Sequence, residues 1–137
     1  MRTVLVAVDG SPTARRAAAL AGEISLGAKA RCILVHVRAT PSGDWDRAAR
    51  GDQAAPSRPT SEESEWLSEV RHRGPKDAEL VILEGSPVEA VLTYAQKNPP
   101  DLLVCGRRGS SPTPAQLLGG VSSALLQHAR CPVLVVP

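Results

Sequence analysis

Leu102-Leu103-Val104-Cys105-Gly106-Arg107-Arg108-Gly109, and then Gly119-Gly120-Val121-Ser122-Ser123, is the stretch on which the fold turns. Its first part is an apolar strand, Asp101–Cys105, that runs straight into glycines. Its second part opens a helix over Gly120–Ala129. A strand that ends in glycine and a helix that starts on glycine leave backbone N–H groups open to a ligand. A helix N-terminus carries partial positive charge, so an anion such as phosphate is favoured there. The spacing Gly106-x2-Gly109-x9-Gly119 fits a cradle for the phosphates of a nucleotide.

Working outward, the same alternation of strand and helix recurs along the chain. Thr3–Val8 is a short apolar run, as expected of a strand buried on both faces of a parallel sheet. It ends at Asp9-Gly10-Ser11-Pro12, where Ser11 suits a helix N-cap and Pro12 a first helical residue. An alanine-rich helix over Thr13–Leu26 should stop at Gly27. Ala30–Val37 reads as a second buried strand. Arg38–Thr60 holds several prolines and glycines among polar residues and reads as a long surface loop, either a plain insertion or a lid. Thr60 followed by Glu63 is a capping-box start for a helix that runs to about Arg73 and stops at Gly74-Pro75. Ala78–Glu84 is the third strand, Val88–Lys97 a helix capped by Ser86, and Val133–Val136 the fifth strand. Strands alternating with helices predict a single α/β domain over residues 1–137. Its five-stranded parallel sheet would be doubly wound, with helices on both faces. Ligands of such sheets bind outside the carboxyl ends of the strands, where the strand order reverses.

Composition excludes several classes. The 137 residues contain no Phe and only 2% aromatics, so the stacking platforms of single-strand nucleic-acid binders are missing. A net charge of +2 with no basic run leaves no duplex-DNA footprint. Three scattered cysteines, Cys32, Cys105 and Cys131, suit a reducing compartment better than a disulfide framework. The opening residues read as a strand rather than a signal peptide, and no run is long enough to span a bilayer. The P-loop pattern, a GxSxG nucleophile and metal-ligand spacing around His36 or His128 are absent, so no catalytic residue and no metal ligand are assigned. Both histidines read as structural.

Taken together, five segments resemble the universal stress protein family. They are Val6-Ala7-Val8-Asp9-Gly10-Ser11, Leu34-Val35-His36-Val37, Gly85-Ser86-Pro87, the block Gly106 to Gly119, and His128 to Val136. The resemblance covers the whole chain. It implies a Rossmann-like fold of the adenine-nucleotide alpha-hydrolase type, a cytoplasmic stress-response role, and a homodimer joined through Val133–Val136. It also implies a site for ATP or another adenine nucleotide, with Mg²⁺ held mainly by the phosphates. The site residues carried over are Ala7, Val8, Asp9, Val37, Gly106, Arg107, Gly109, Gly119, Gly120, Val121 and Ser122.

Nucleotide-binding members of that family look like Gly-x2-Gly-x9-Gly-Ser/Thr, and here Gly120 stands where the hydroxyl residue belongs. One hydrogen bond to a charged group contributes about 1.5–3 kcal/mol, so its loss should weaken binding by roughly one to two decades. Two further readings therefore stay open: a nucleotide-free homodimeric interaction module, and a slow ATPase. Individual residues also carry two readings each. Asp9 either meets the nucleoside or caps its own turn. Val37 either offers backbone to the adenine edge or simply ends its strand. Arg107 and Arg108 either screen phosphates or are plain exposed arginines.

Overall fold

The structure, a computed structural model, describes residues 1–38, 58–107 and 119–137. The elements in chain order are β1 (Thr3–Ala7), α1 (Pro12–Ala28), β2 (Arg31–Arg38), α2 (Ser61–Arg73), β3 (Glu79–Glu84), α3 (Pro87–Lys97), β4 (Leu102–Gly106), α4 (Gly120–His128) and β5 (Val133–Val136). The strands form one parallel sheet in the order β3-β2-β1-β4-β5.

Apolar residues on both sides of each strand bury both faces of the sheet. One face carries Val4, Val6, Leu34 and Val104 against Ala14, Ala17, Ala18 and Ala21 of α1 and Leu67 and Val70 of α2. Alanines on α1 let that helix lie close to β1 and β4. The other face carries Leu5, Ile33, Val35 and Leu103 against Ala90 and Val91 of α3 and Leu125 of α4. Leu5, Leu34, Ile82, Leu103 and Leu125 are the largest fully buried aliphatic side chains. Burial of each contributes about 1.5–3 kcal/mol.

Local signals explain most boundaries. Ser11 accepts the Ala14 N–H at 3.3 Å, and Pro12 starts the helix as expected. α1 does not stop at Gly27. It continues through Ala28, and Lys29 takes the left-handed cap conformation at φ 55°, with the Ala30 N–H bonded to the Ser25 carbonyl. Thr60 and Glu63 form the full capping box at the start of α2. Ser86 occupies the N-cap position of α3, but its side chain makes no capping hydrogen bond. Arg38, read from sequence as the first residue of the long loop, is the last residue of β2, and Thr60 at the other end is the α2 cap. Residues 39–57 of that loop lie outside the described residues.

Candidate functional site

Sheet order fixes where a ligand cleft forms. β1 lies between β2 and β4; its helix leads back to β2 on one side, while the chain leaving β4 leads to β5 on the other. The connections diverge between β1 and β4, which makes the carboxyl ends of these two strands the switch point.

On the β1 side, the ladder continues past Ala7 through a Val8 N–H to Val35 carbonyl bond of 2.8 Å. Val8 is buried, and Ala7 and Asp9 are half-buried. The Asp9 carboxylate accepts the Ser11 N–H at 2.9 Å, so it shapes its own turn at the head of α1. Continuing the pairing of Ala7 with Val35 brings Val37 level with Asp9, one strand away from the switch point.

On the β4 side, Gly106 pairs with Val136 and lies against the first turn of α1. The Arg107 N–H donates to the Val136 carbonyl at 2.7 Å, leaving its side chain exposed. The Arg107 carbonyl then accepts twice, from the Gly119 N–H at 2.7 Å and from the Ser122 hydroxyl at 2.8 Å. These bonds clasp Arg107 to Gly119 and Ser122 at the mouth of α4. Gly109, Arg108 and the rest of segment 108–118 lie outside the described residues.

Gly119 is the N-cap of α4 and Gly120 its first residue. The first-turn N–H groups of a helix have no carbonyl partner within it, so Gly120, Val121 and Ser122 present donors at the positive end of the dipole. Val121 is half-buried against the second core. Ser122 is 2% exposed, and its hydroxyl sits within 2.8 Å of the Arg107 carbonyl and 3.1 Å of the Gly119 carbonyl. That hydroxyl holds the base of the loop; the group Ser122 has left to offer a ligand is its N–H. Among the described residues, a Cβ on Gly120 would meet nothing within 4 Å. Glycine here is therefore not a packing requirement.

The structure thus brings Val8, Asp9, Gly106, Arg107, Gly119, Gly120, Val121 and Ser122 to the switch point, with Val37 at the neighbouring strand end. Burial pushes the Cys105 thiol, next to Gly106, up to about 11, so it is no thiolate nucleophile at neutral pH. Among the described residues, no group of three or more His, Cys, Asp or Glu could hold a metal ion, and no helix is long and apolar enough to cross a membrane. Sequence reasoning missed Thr13 as the residue packed on Gly106. It also missed a polar cluster of His36, Arg38 and Glu63 behind the β1 turn. The Thr60–Glu63 capping box was its one visible trace.

Comparison with known protein families matches residues 1–137 to the universal stress protein family. The chain belongs to that family. A universal stress protein of Thermus aquaticus, from the QAH/OAS sulfhydrylase 3′ region, is 33% identical over 135 residues, 98% of either chain. A universal stress protein crystallised in complex with cAMP superimposes with a TM-score of 0.69 at 27% identity, covering 99% of this chain and 96% of that one. UspA from Lactobacillus plantarum shares the fold, with a TM-score of 0.74 at 23% identity over 99% and 97% of the two chains. The doubly wound five-stranded sheet expected from the sequence is the fold of this universal stress protein.

Proposed function

We propose that this universal stress protein binds ATP or another adenine nucleotide at the β1–β4 switch point and acts as a cytoplasmic regulatory module rather than as a catalyst. The observation that carries this reading is the clasp of Arg107 to Gly119 and Ser122, which sets the carboxyl end of β4 beside the open N-terminus of α4. Backbone donors of Gly120, Val121 and Ser122 suit phosphate oxygens. Asp9 and the Val37 backbone stand at the strand ends where the nucleoside would lie. Gly106 and Gly119 would give the backbone close approach to the phosphates. Mg²⁺ would travel with those phosphates, coordinated mainly by their oxygens. The complex of a relative with cAMP supports an adenine nucleotide as the ligand class.

A second reading, a homodimeric interaction module without nucleotide, is favoured by two observations. Gly120 supplies no hydroxyl, and β5 is an edge strand with Val133, Leu134 and Val135 half-buried. Calorimetric titration of the ligand-stripped protein with Mg-ATP, repeated on Gly109→Asp, separates the two. Micromolar binding that disappears in the variant supports the nucleotide reading. Absence of heat from the wild type at high concentration moves the assignment to the interaction module.

A further inference from the structure

The polar cluster at the end of β2 has no part in the phosphate cradle, yet it touches the turn that precedes α1. His36 Nδ1 lies 3.0 Å from the Val8 carbonyl, and its Nε2 lies 3.0 Å from Glu63 Oε2 on α2. A carbonyl only accepts, so Nδ1 donates to Val8. The two side chains are 13% and 11% exposed, and so act where water competes little.

Glu63 is itself held rigidly. Its Oε1 accepts the Thr60 N–H at 2.8 Å and a bond from Arg38 Nη2, and its Oε2 accepts from Arg38 Nε at 3.2 Å. Arg38 is in turn tied to Glu84 on β3 at 3.2 Å and to the Arg58 carbonyl at 3.0 Å. Trp66, one turn along α2, meets the His36 ring edge to face, with centroids 4.8 Å apart. A Cβ on Gly10 would stand 3.9 Å from the indole, so the same tryptophan also borders the turn. One imidazole therefore joins three elements: the β1 turn, β2 and α2.

We infer that His36, anchored by Glu63, is a positioning residue for the turn Val8-Asp9-Gly10 and hence for the ligand this turn meets. The ligand half of the inference rests on the nucleotide reading above; the structural half does not. An asparagine at position 36 places its amide nitrogen near the Nδ1 position and keeps a donor for Val8. A glutamine reaches the Nε2 position and keeps only the Glu63 partner.

The experiment compares wild type, His36→Asn and His36→Gln in two readouts: Mg-ATP affinity by calorimetry, and amide hydrogen exchange at Asp9 and Gly10. His36→Gln is expected to weaken Mg-ATP binding about tenfold, the loss of roughly one net hydrogen bond, and to speed exchange at Gly10. His36→Asn is expected to stay within about threefold of wild type in both. Equal losses in the two variants, or no loss in either, overturn the inference. Should wild type bind no nucleotide, the nucleotide reading fails and exchange at Asp9 and Gly10 alone decides. Faster exchange only in His36→Gln supports the positioning role, and identical exchange removes it. Should His36→Gln not fold, the ring ¹⁵N spectrum of wild type decides: a protonated Nδ1 supports the role and an unprotonated one overturns it.

Discussion

Gly106 and Thr13 stand too close for any side chain at position 106. A Cβ there would lie 2.7 Å from the Thr13 hydroxyl, 2.9 Å from its Cβ and 3.0 Å from its carbonyl carbon. The first turn of α1 thus rests directly on the glycine that ends β4, which brings the two halves of the switch point together. Gly106→Ala must push α1 away from β4. Overpacking of this kind costs about 1–3 kcal/mol. The expected result is a fall in melting temperature of roughly 3–5 °C per kcal/mol, together with weaker nucleotide binding. An unchanged melting temperature in thermal denaturation would show that the helix can shift freely.

Gly120 has the opposite character. Among the described residues nothing crowds it, and its backbone is helical, so a larger residue is accommodated without strain. Gly120→Ser is expected to tighten Mg-ATP binding by about tenfold, because it adds a hydroxyl donor at the α4 N-terminus to a charged acceptor. Gly120→Ala is the control. It removes the entropic cost of glycine in the helix but adds no donor, so it should raise thermal stability and leave affinity alone. Calorimetry on the three proteins side by side checks this; equal affinities for Ser and Ala would rule out the hydroxyl.

The elements that were legible in the sequence are those whose cause is local. Ser11-Pro12 announces α1, Thr60 and Glu63 announce α2, and the unbroken apolar runs announce strands buried on both faces. Gly27 misleads as a stop signal because a helix tolerates an exposed glycine, and the actual cap depends on Lys29 adopting a left-handed backbone. Arg38 misleads because an arginine beside a Pro- and Gly-rich segment looks like loop. Its guanidinium is in fact drawn to Glu63, 25 residues later. Of the glycines at the cradle spacing, Gly106 ends β4 and Gly119 caps α4, because each stands at an element boundary that the local apolar pattern already marks. The His36 cluster was not readable, since it depends on which strand lies beside which. Nothing within a few residues of His36 records that Val8 and Glu63 flank it.

Glu63 gives the protein an acid-sensitive joint. The Arg38 guanidinium bonded to its carboxylate, helped by the Thr60 N–H and hydroxyl and opposed by burial, holds it well below its ordinary 4.5, at about 2. A carboxyl whose folded value is depressed stabilises the fold fully above its unfolded value, and that contribution is lost as pH falls through the folded one. The wild type should therefore lose stability as pH drops from about 4.5 towards 2. Glu63→Gln should be less stable than wild type at neutral pH, with the gap closing across that same window. Melting curves at a series of pH values check the sign. A gap that widens on acidification would contradict the assignment of Glu63 as the charged partner of Arg38.

The homodimer reading places the contact between two copies at β5. Among the described residues it pairs only with β4, and Val133, Leu134 and Val135 are half-buried. An unpaired apolar edge is a template for another strand, and a second copy of β5 in the antiparallel sense would cover it. Arg16 donates from α1 to the Pro137 carbonyl at 2.8 Å, which keeps the end of this strand in place beside the sheet. The homodimer reading thus predicts sedimentation at twice the 14.4 kDa chain mass at micromolar concentration. Leu134→Arg adds a charge to the edge, and its long side chain can extend to solvent while its stem keeps some of the lost packing. It should sediment as the single chain, with a lower melting temperature but intact secondary structure. Wild type that sediments as a single chain at that concentration would remove the dimer. β5 would then be a strand whose open edge serves no partner of its own kind.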